Sequence, residues 1–168
     1  MAGWEEPRAW AIHGRNEFDR RRERTRMETT GIDRILAREL GSLGGFGAAL
    51  VARLLPLDIG SASLDVELPP SKAAHAVERV LAEFGTPISC AAPELRDARC
   101  VIVGSGYMRL NPAIVCVWIT SATAGGSSIL VRGAAKEGLV KQRGGQQAAR
   151  DIEERLRNAF ASPPGSRP

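Results

Sequence analysis

Histidine and cysteine are scarce in this sequence, and the motifs that usually announce catalysis are missing. Two histidines occur, His13 and His75, and three cysteines, Cys90, Cys100 and Cys116. No Cys-x-x-Cys pair is present and no histidine lies close to a cysteine along the chain, which argues against a zinc site or a disulfide framework. The cysteines sit in or beside apolar runs and read as buried small hydrophobes in a reducing compartment. His13 falls in a polar segment and His75 beside the apolar stripe of a predicted helix, each without a sequence partner. The nucleophile motif G-x-S-x-G, the metalloprotease H-E-x-x-H, the phosphate loop and the dinucleotide G-x-G-x-x-G are all absent. No catalytic residue, metal ligand or cofactor is assigned, and the chain reads as a non-enzyme.

The opening MAGWEEPRAW carries acids and a proline in place of the basic start, apolar run and cleavage site of a secretory signal. With ordinary globular proportions, 43% apolar and 25% charged, the expectation is one cytoplasmic domain with a proper core. The formal net charge of +4 is a weak attraction to anionic partners and no more.

Four segments are expected. Residues 1–27 form a polar arm ending in DRRRERTRM, where Arg20, Arg21, Arg22, Arg24 and Arg26 could contact phosphates but Asp19 and Glu23 dilute the charge. Nucleic acid is therefore a disfavoured partner. Residues 28–57 carry Ile32, Ile35, Leu36, Leu40, Leu43, Phe46, Leu50 and Leu54 at helical spacing, an amphipathic helix over about 31–55 that Pro56 ends. Gly41, Gly44, Gly45 and Gly47 inside it each cost about 1 kcal/mol relative to Ala, and close packing is the best reason for them. Gly41 and Gly45 have the small-xxx-small spacing of helix pairs, so Gly41, Gly44, Gly45 and Phe46 are candidate self-association residues. Residues 40–59 are long enough to cross a membrane, yet Arg53, Pro56 and Asp58 oppose it. A membrane surface is the lesser partner, and packing on the protein's own sheet or on a second copy the favoured fate.

Residues 58–160 hold the clearest pattern. SASLDVELPP alternates, with Ala62, Leu64, Val66 and Leu68 on one strand face. Ser71 reads as the N-cap of a helix carrying Ala74, Val77, Val80, Leu81 and Phe84, and Gly85 closes it. RCVIVGSGY and AIVCVWIT read as strands separated at Asn111–Pro112; the second is apolar throughout and belongs at the sheet centre, covered on both faces. TAGGSS turns the chain into the strand SILVRGAA. A last helix, about Gly145 to Phe160, turns Ala149, Ile152, Leu156 and Phe160 inward. Residues 161–168 read as a disordered tail. The expected fold is α+β, a two-layer sandwich with an antiparallel sheet of about five strands in β-α-β-β-β-β-α order. The N-terminal amphipathic helix is then the natural cover for the sheet's other face.

GSGYMRLNP followed by VRGAAKEGLVKQRGG resembles short bacterial proteins to which no activity is assigned. More distantly, a long final helix over an antiparallel sheet is similar to the helix-grip (START-like) lipid-binding proteins, a resemblance that implies an apolar ligand held between helix and sheet.

Two candidate sites follow. Tyr107, Met108 and Trp118 could line an apolar ligand pocket, although core packing is the commoner fate of such residues. Lys136, Lys141 and Arg143 precede Gly144 and Gly145, where a helix start offers N–H groups and a positive dipole end to an anion. A solvated helix start with a glycine hinge fits that stretch as well, and Glu137 subtracts charge from it. Gly104-Ser105-Gly106 continues a strand instead of opening a helix, so Ser105 is not taken as a nucleophile. The function expected first is a self-associating interaction protein. The alternatives are a carrier or sensor of an apolar, lipid-like ligand, or a nucleic-acid accessory protein using the arginine arm.

Overall fold

The continuously apolar run Ala113–Trp118 lies at the middle of a sheet because every one of its residues is buried, whichever face its side chain takes. A computed structural model describes residues 29–39, 54–89, 93–105, 111–122, 125–138 and 142–161. In chain order the elements are a helix over 29–39 (α1), β1 Leu57–Val66, α2 Pro70–Phe84, β2 Thr86–Ile88, a short 3-10 turn Pro93–Leu95, β3 Arg99–Ser105, β4 Asn111–Ser121, β5 Ser127–Lys136 and α3 Gly144–Ala161. Five antiparallel strands run in the order β1-β5-β4-β3-β2, an open sheet whose edges do not meet. The fold is the expected α+β arrangement, with α1 as an added layer.

Strand alternation sorts the core into two layers. Leu64, Val101, Val103, Val115, Val117, Ile129 and Val131 point to α2 and α3, which return Val77, Leu81, Ile152 and Leu156. Cys100, Ile114, Cys116, Trp118 and Ala134 point the other way, under Ile32 and Leu36 of α1. Each fully buried aliphatic side chain is worth about 1.5–3 kcal/mol, so α1 is seated by core burial and not merely laid on the surface.

Several local expectations are corrected. Ser71 is not the N-cap of α2: Pro69 holds that position with no side-chain cap, and Pro70 opens the helix. A proline needs no N–H partner in the first turn and its φ already suits the helix, so a side-chain cap is dispensable. Asn111 and Pro112 are not a turn but the first residues of β4, opposite Ser105 and Gly104. β1 begins at Leu57, ahead of the alternating stretch. Leu54 is off the apolar stripe and 81% exposed, at the point where the chain leaves helical conformation before Pro56. Gly85 does close α2, in an extended conformation. A side chain there would strike the carbonyl of Ile102.

Candidate functional site

Where β1 ends and the chain turns into α2, the sheet is not fully covered. The end of α3 stands off from α2, leaving a groove of about 710 Å³. That volume is within the range of small-ligand pockets. Its floor is apolar: Leu64 and Val66 from β1, Leu68 from the connection and Phe160 from α3. On the α2 side Lys72, Ala76 and Arg79 follow one another at four and three residues, which sets them on one stripe along the groove. Asp65 and Glu67 border it from β1 and the connection, but both are exposed, and strand alternation turns the Asp65 side chain to the other face of the sheet with Leu57 and Ile59. Arg157, from α3, is held by Glu153 one turn back. The groove therefore has an apolar floor and a cationic wall.

His75 also borders the groove, with its side chain 86% exposed and 4.0 Å from Glu78. Glu78 in turn accepts a hydrogen bond from Arg99 Nε at 2.8 Å.

The candidate anion stretch at 136–145 is brought together differently from its sequence reading. Glu137 is itself the carboxylate that fills the start of α3. Its carboxylate accepts from Gln142 N at 2.6 Å and Gly144 N at 3.0 Å. Asp58 of β1 accepts from Gln146 N at 3.0 Å and Gln146 Nε2 at 3.3 Å. Two internal carboxylates thus meet the positive end of the helix. Lys136 turns away to the α1 layer, where its buried ammonium lies 2.5 Å from Asp33 and 3.0 Å from the carbonyl oxygen of Leu55. Arg143 is exposed in a left-handed conformation, φ 51°. Gly144 and Gly145 are buried, and Lys141 lies outside the described residues.

Of the candidate pocket residues, Trp118 is buried in the α1 layer, with the Arg132 guanidinium 5.7 Å from its ring centroid. The groove is on the opposite side of the sheet. Tyr107 and Met108 lie outside the described residues, as do Gly41, Gly44, Gly45 and Phe46. Sequence reading missed the groove because its wall is made by polar residues on the outer face of α2, which look like ordinary solvated positions until β1 and α3 are placed beside them.

Among the described residues no group of three or more His, Cys, Asp or Glu side chains is placed to hold a metal ion. Among them, too, no helix is long and apolar enough to cross a membrane. Compared with known proteins, the chain matches no family model and no curated protein sequence.

Proposed function

We propose that the protein is a non-catalytic binding domain that carries or senses a single-chain, lipid-like amphiphile. The observation that carries this reading is the groove between β1, α2 and the end of α3, with its apolar floor and cationic wall. An alkyl chain on Leu64, Val66 and Phe160 would replace water on apolar surface, at about 25 cal/mol per Å² removed from solvent. With Lys72 and Arg79 along the α2 wall, the rim is complementary to an anionic head group. Self-association through Gly41, Gly44, Gly45 and Phe46, and nucleic-acid contact through the arginine arm, concern segments outside the described residues, and the ligand reading rests on the groove alone.

The test is competition for an environment-sensitive apolar dye by dodecylphosphocholine, dodecanoate and dodecyltrimethylammonium, each below its micelle-forming concentration. Dodecanoate is expected to compete best, at micromolar concentrations, and Ala76→Trp, which fills the groove from α2, to abolish competition without lowering the melting temperature. Equal binding of dodecanoate by the native protein and the Ala76→Trp variant would overturn the reading. Native mass spectrometry of the purified protein gives a second check: a bound mass lost on denaturation supports carriage.

A further inference from the structure

Cys100 of β3 and Cys116 of β4 are direct Cα partners across the antiparallel ladder. Their sulfurs are 2.7 Å apart and neither is in a disulfide. Residues directly opposite in such a ladder have Cα atoms about 4.5–5.5 Å apart, within the range a disulfide spans. Bond formation therefore needs only side-chain adjustment, with no shift of strand register. A reading of both residues as small hydrophobes explains their burial but not their juxtaposition.

We propose that Cys100 and Cys116 form a redox modification site, closed to a cross-strand disulfide by a hydroperoxide. Cys100 keeps 5% of its surface exposed and Cys116 none, so Cys100 meets the oxidant first. Its thiolate attacks one peroxide oxygen, the O–O bond breaks, and water or an alcohol leaves as Cys100 becomes a sulfenic acid. The sulfur of Cys116 then attacks the Cys100 sulfur, the S–S bond forms, and the sulfenic oxygen leaves as water with the second thiol proton. Two thiols are oxidised by two electrons, and one peroxide is reduced. Ile32 and Leu36 of α1 cover the pair, so the oxidant enters when α1 lifts. The ion pair between Lys136 and Asp33 restrains that opening.

The experiment uses the full folded chain, treated with hydrogen peroxide, alkylated and cut with trypsin. Arg99, Arg109 and Arg132 are cleavage points, so Cys100 and Cys116 fall in separate peptides, 100–109 and 110–132, and Cys90 in a third. The expected product is the 100–109 and 110–132 peptides joined with loss of two hydrogens and separated again by dithiothreitol. Cys90→Ser should leave the product unchanged. Cys116→Ala should replace it with a dimedone-reactive sulfenic acid at Cys100. Asp33→Ala should accelerate closure several-fold. Recovery of both peptides alkylated after exhaustive native oxidation, or their linkage in urea alone, would overturn the proposal. An unchanged rate in Asp33→Ala would overturn the part assigned to α1.

Discussion

Gly60 and Gly133 face each other across the β1–β5 ladder, and the first turn of α3 rests on both. A side chain at Gly60 would enter the backbone of Gln146, and one at Gly133 the carbonyl of Gly145 and the backbone N of Ala149. Helix backbone is laid on strand backbone here, with no side-chain layer between them. That contact brings Asp58 within reach of Gln146 and sets the start of α3 beside Glu137.

Gly145 makes this contact testable, because two effects oppose each other there. Alanine in a helix gains about 1 kcal/mol over glycine. A Cβ at 145, however, would meet the carbonyl of Asp58 and lie 2.9 Å from the Cα of Ala134. Backbone cannot rotate aside as a flexible side chain can, so overpacking wins and Gly145→Ala should destabilise by about 1–3 kcal/mol. Gly138→Ala, where nothing lies within 4 Å of the added carbon, should fall within about 0.5 kcal/mol of the parent. Urea unfolding of the two variants checks the contrast. A stabilised Gly145→Ala protein would mean that α3 does not sit on the sheet backbone.

Glu137 supplies the second prediction. Its residue is 7% exposed, and removal of the carboxylate leaves the N–H groups of Gln142 and Gly144 without this acceptor. Glu137→Ala should cost about 2–3 kcal/mol, as expected when partners of a buried charged group lose their acceptor. The vacated helix start should then take an outside anion. Inorganic phosphate should raise the melting temperature of Glu137→Ala by several degrees more than that of the parent protein, in which the chain's own carboxylate fills the position. Equal phosphate shifts in the two proteins would contradict that occupancy.

Lys136 and Asp33 form an ion pair with unequal access to water: the lysine side chain is 4% exposed and the aspartate 37%. The two halves of the pair should therefore respond differently to truncation. Asp33→Ala leaves a buried ammonium with the Leu55 carbonyl as its remaining described acceptor, and should cost about 2 kcal/mol. Lys136→Met keeps the apolar stem and leaves a carboxylate that water reaches, and should cost less than about 1 kcal/mol. Chemical denaturation orders the pair. The reverse order would mean that the lysine is solvated and that α1 is not held by it.

The fold was legible because its signals are local and periodic. The apolar run of β4 announced a central strand, and the alternation around Leu64 and Val66 announced the strand facing the helices. The stripe of Ile32, Ile35 and Leu36 announced a cover for the other sheet face. Contacts that depend on register were not legible. Cys100 and Cys116 are 16 residues apart, and only the β3–β4 pairing sets one opposite the other. Asp58 and Gln146 are separated by 88 positions, and no spacing rule links them. Glu137 was read by the sign of its charge, whereas its role comes from the turn that folds it back onto the N–H groups ahead of α3. Pro69 and Pro70 misled in another way: Ser71 has the chemistry of a cap, but the prolines before it had already begun the helix.

Ser71 and Ser127 give the last prediction, since pattern and packing assign them opposite importance. Ser71 looks like a helix cap, a role typically worth about 1 kcal/mol. It is instead an exposed residue inside the first turn of α2, so Ser71→Ala should change stability by less than about 0.5 kcal/mol. Ser127 looks like an ordinary turn residue at the end of TAGGSS. It is fully buried, and its hydroxyl donates to the carbonyl of Leu68 at 2.5 Å, tying the first residue of β5 to the connection between β1 and α2. Ser127→Ala should cost about 1–2 kcal/mol by leaving that carbonyl without its donor. Because Leu68 also lines the groove, the same variant should weaken amphiphile binding, while Ser71→Ala should leave it intact. Thermal unfolding and dye competition on the two proteins read both effects. If Ser127→Ala melted with the parent and bound as tightly, the hydroxyl would not be what holds this wall of the groove in place.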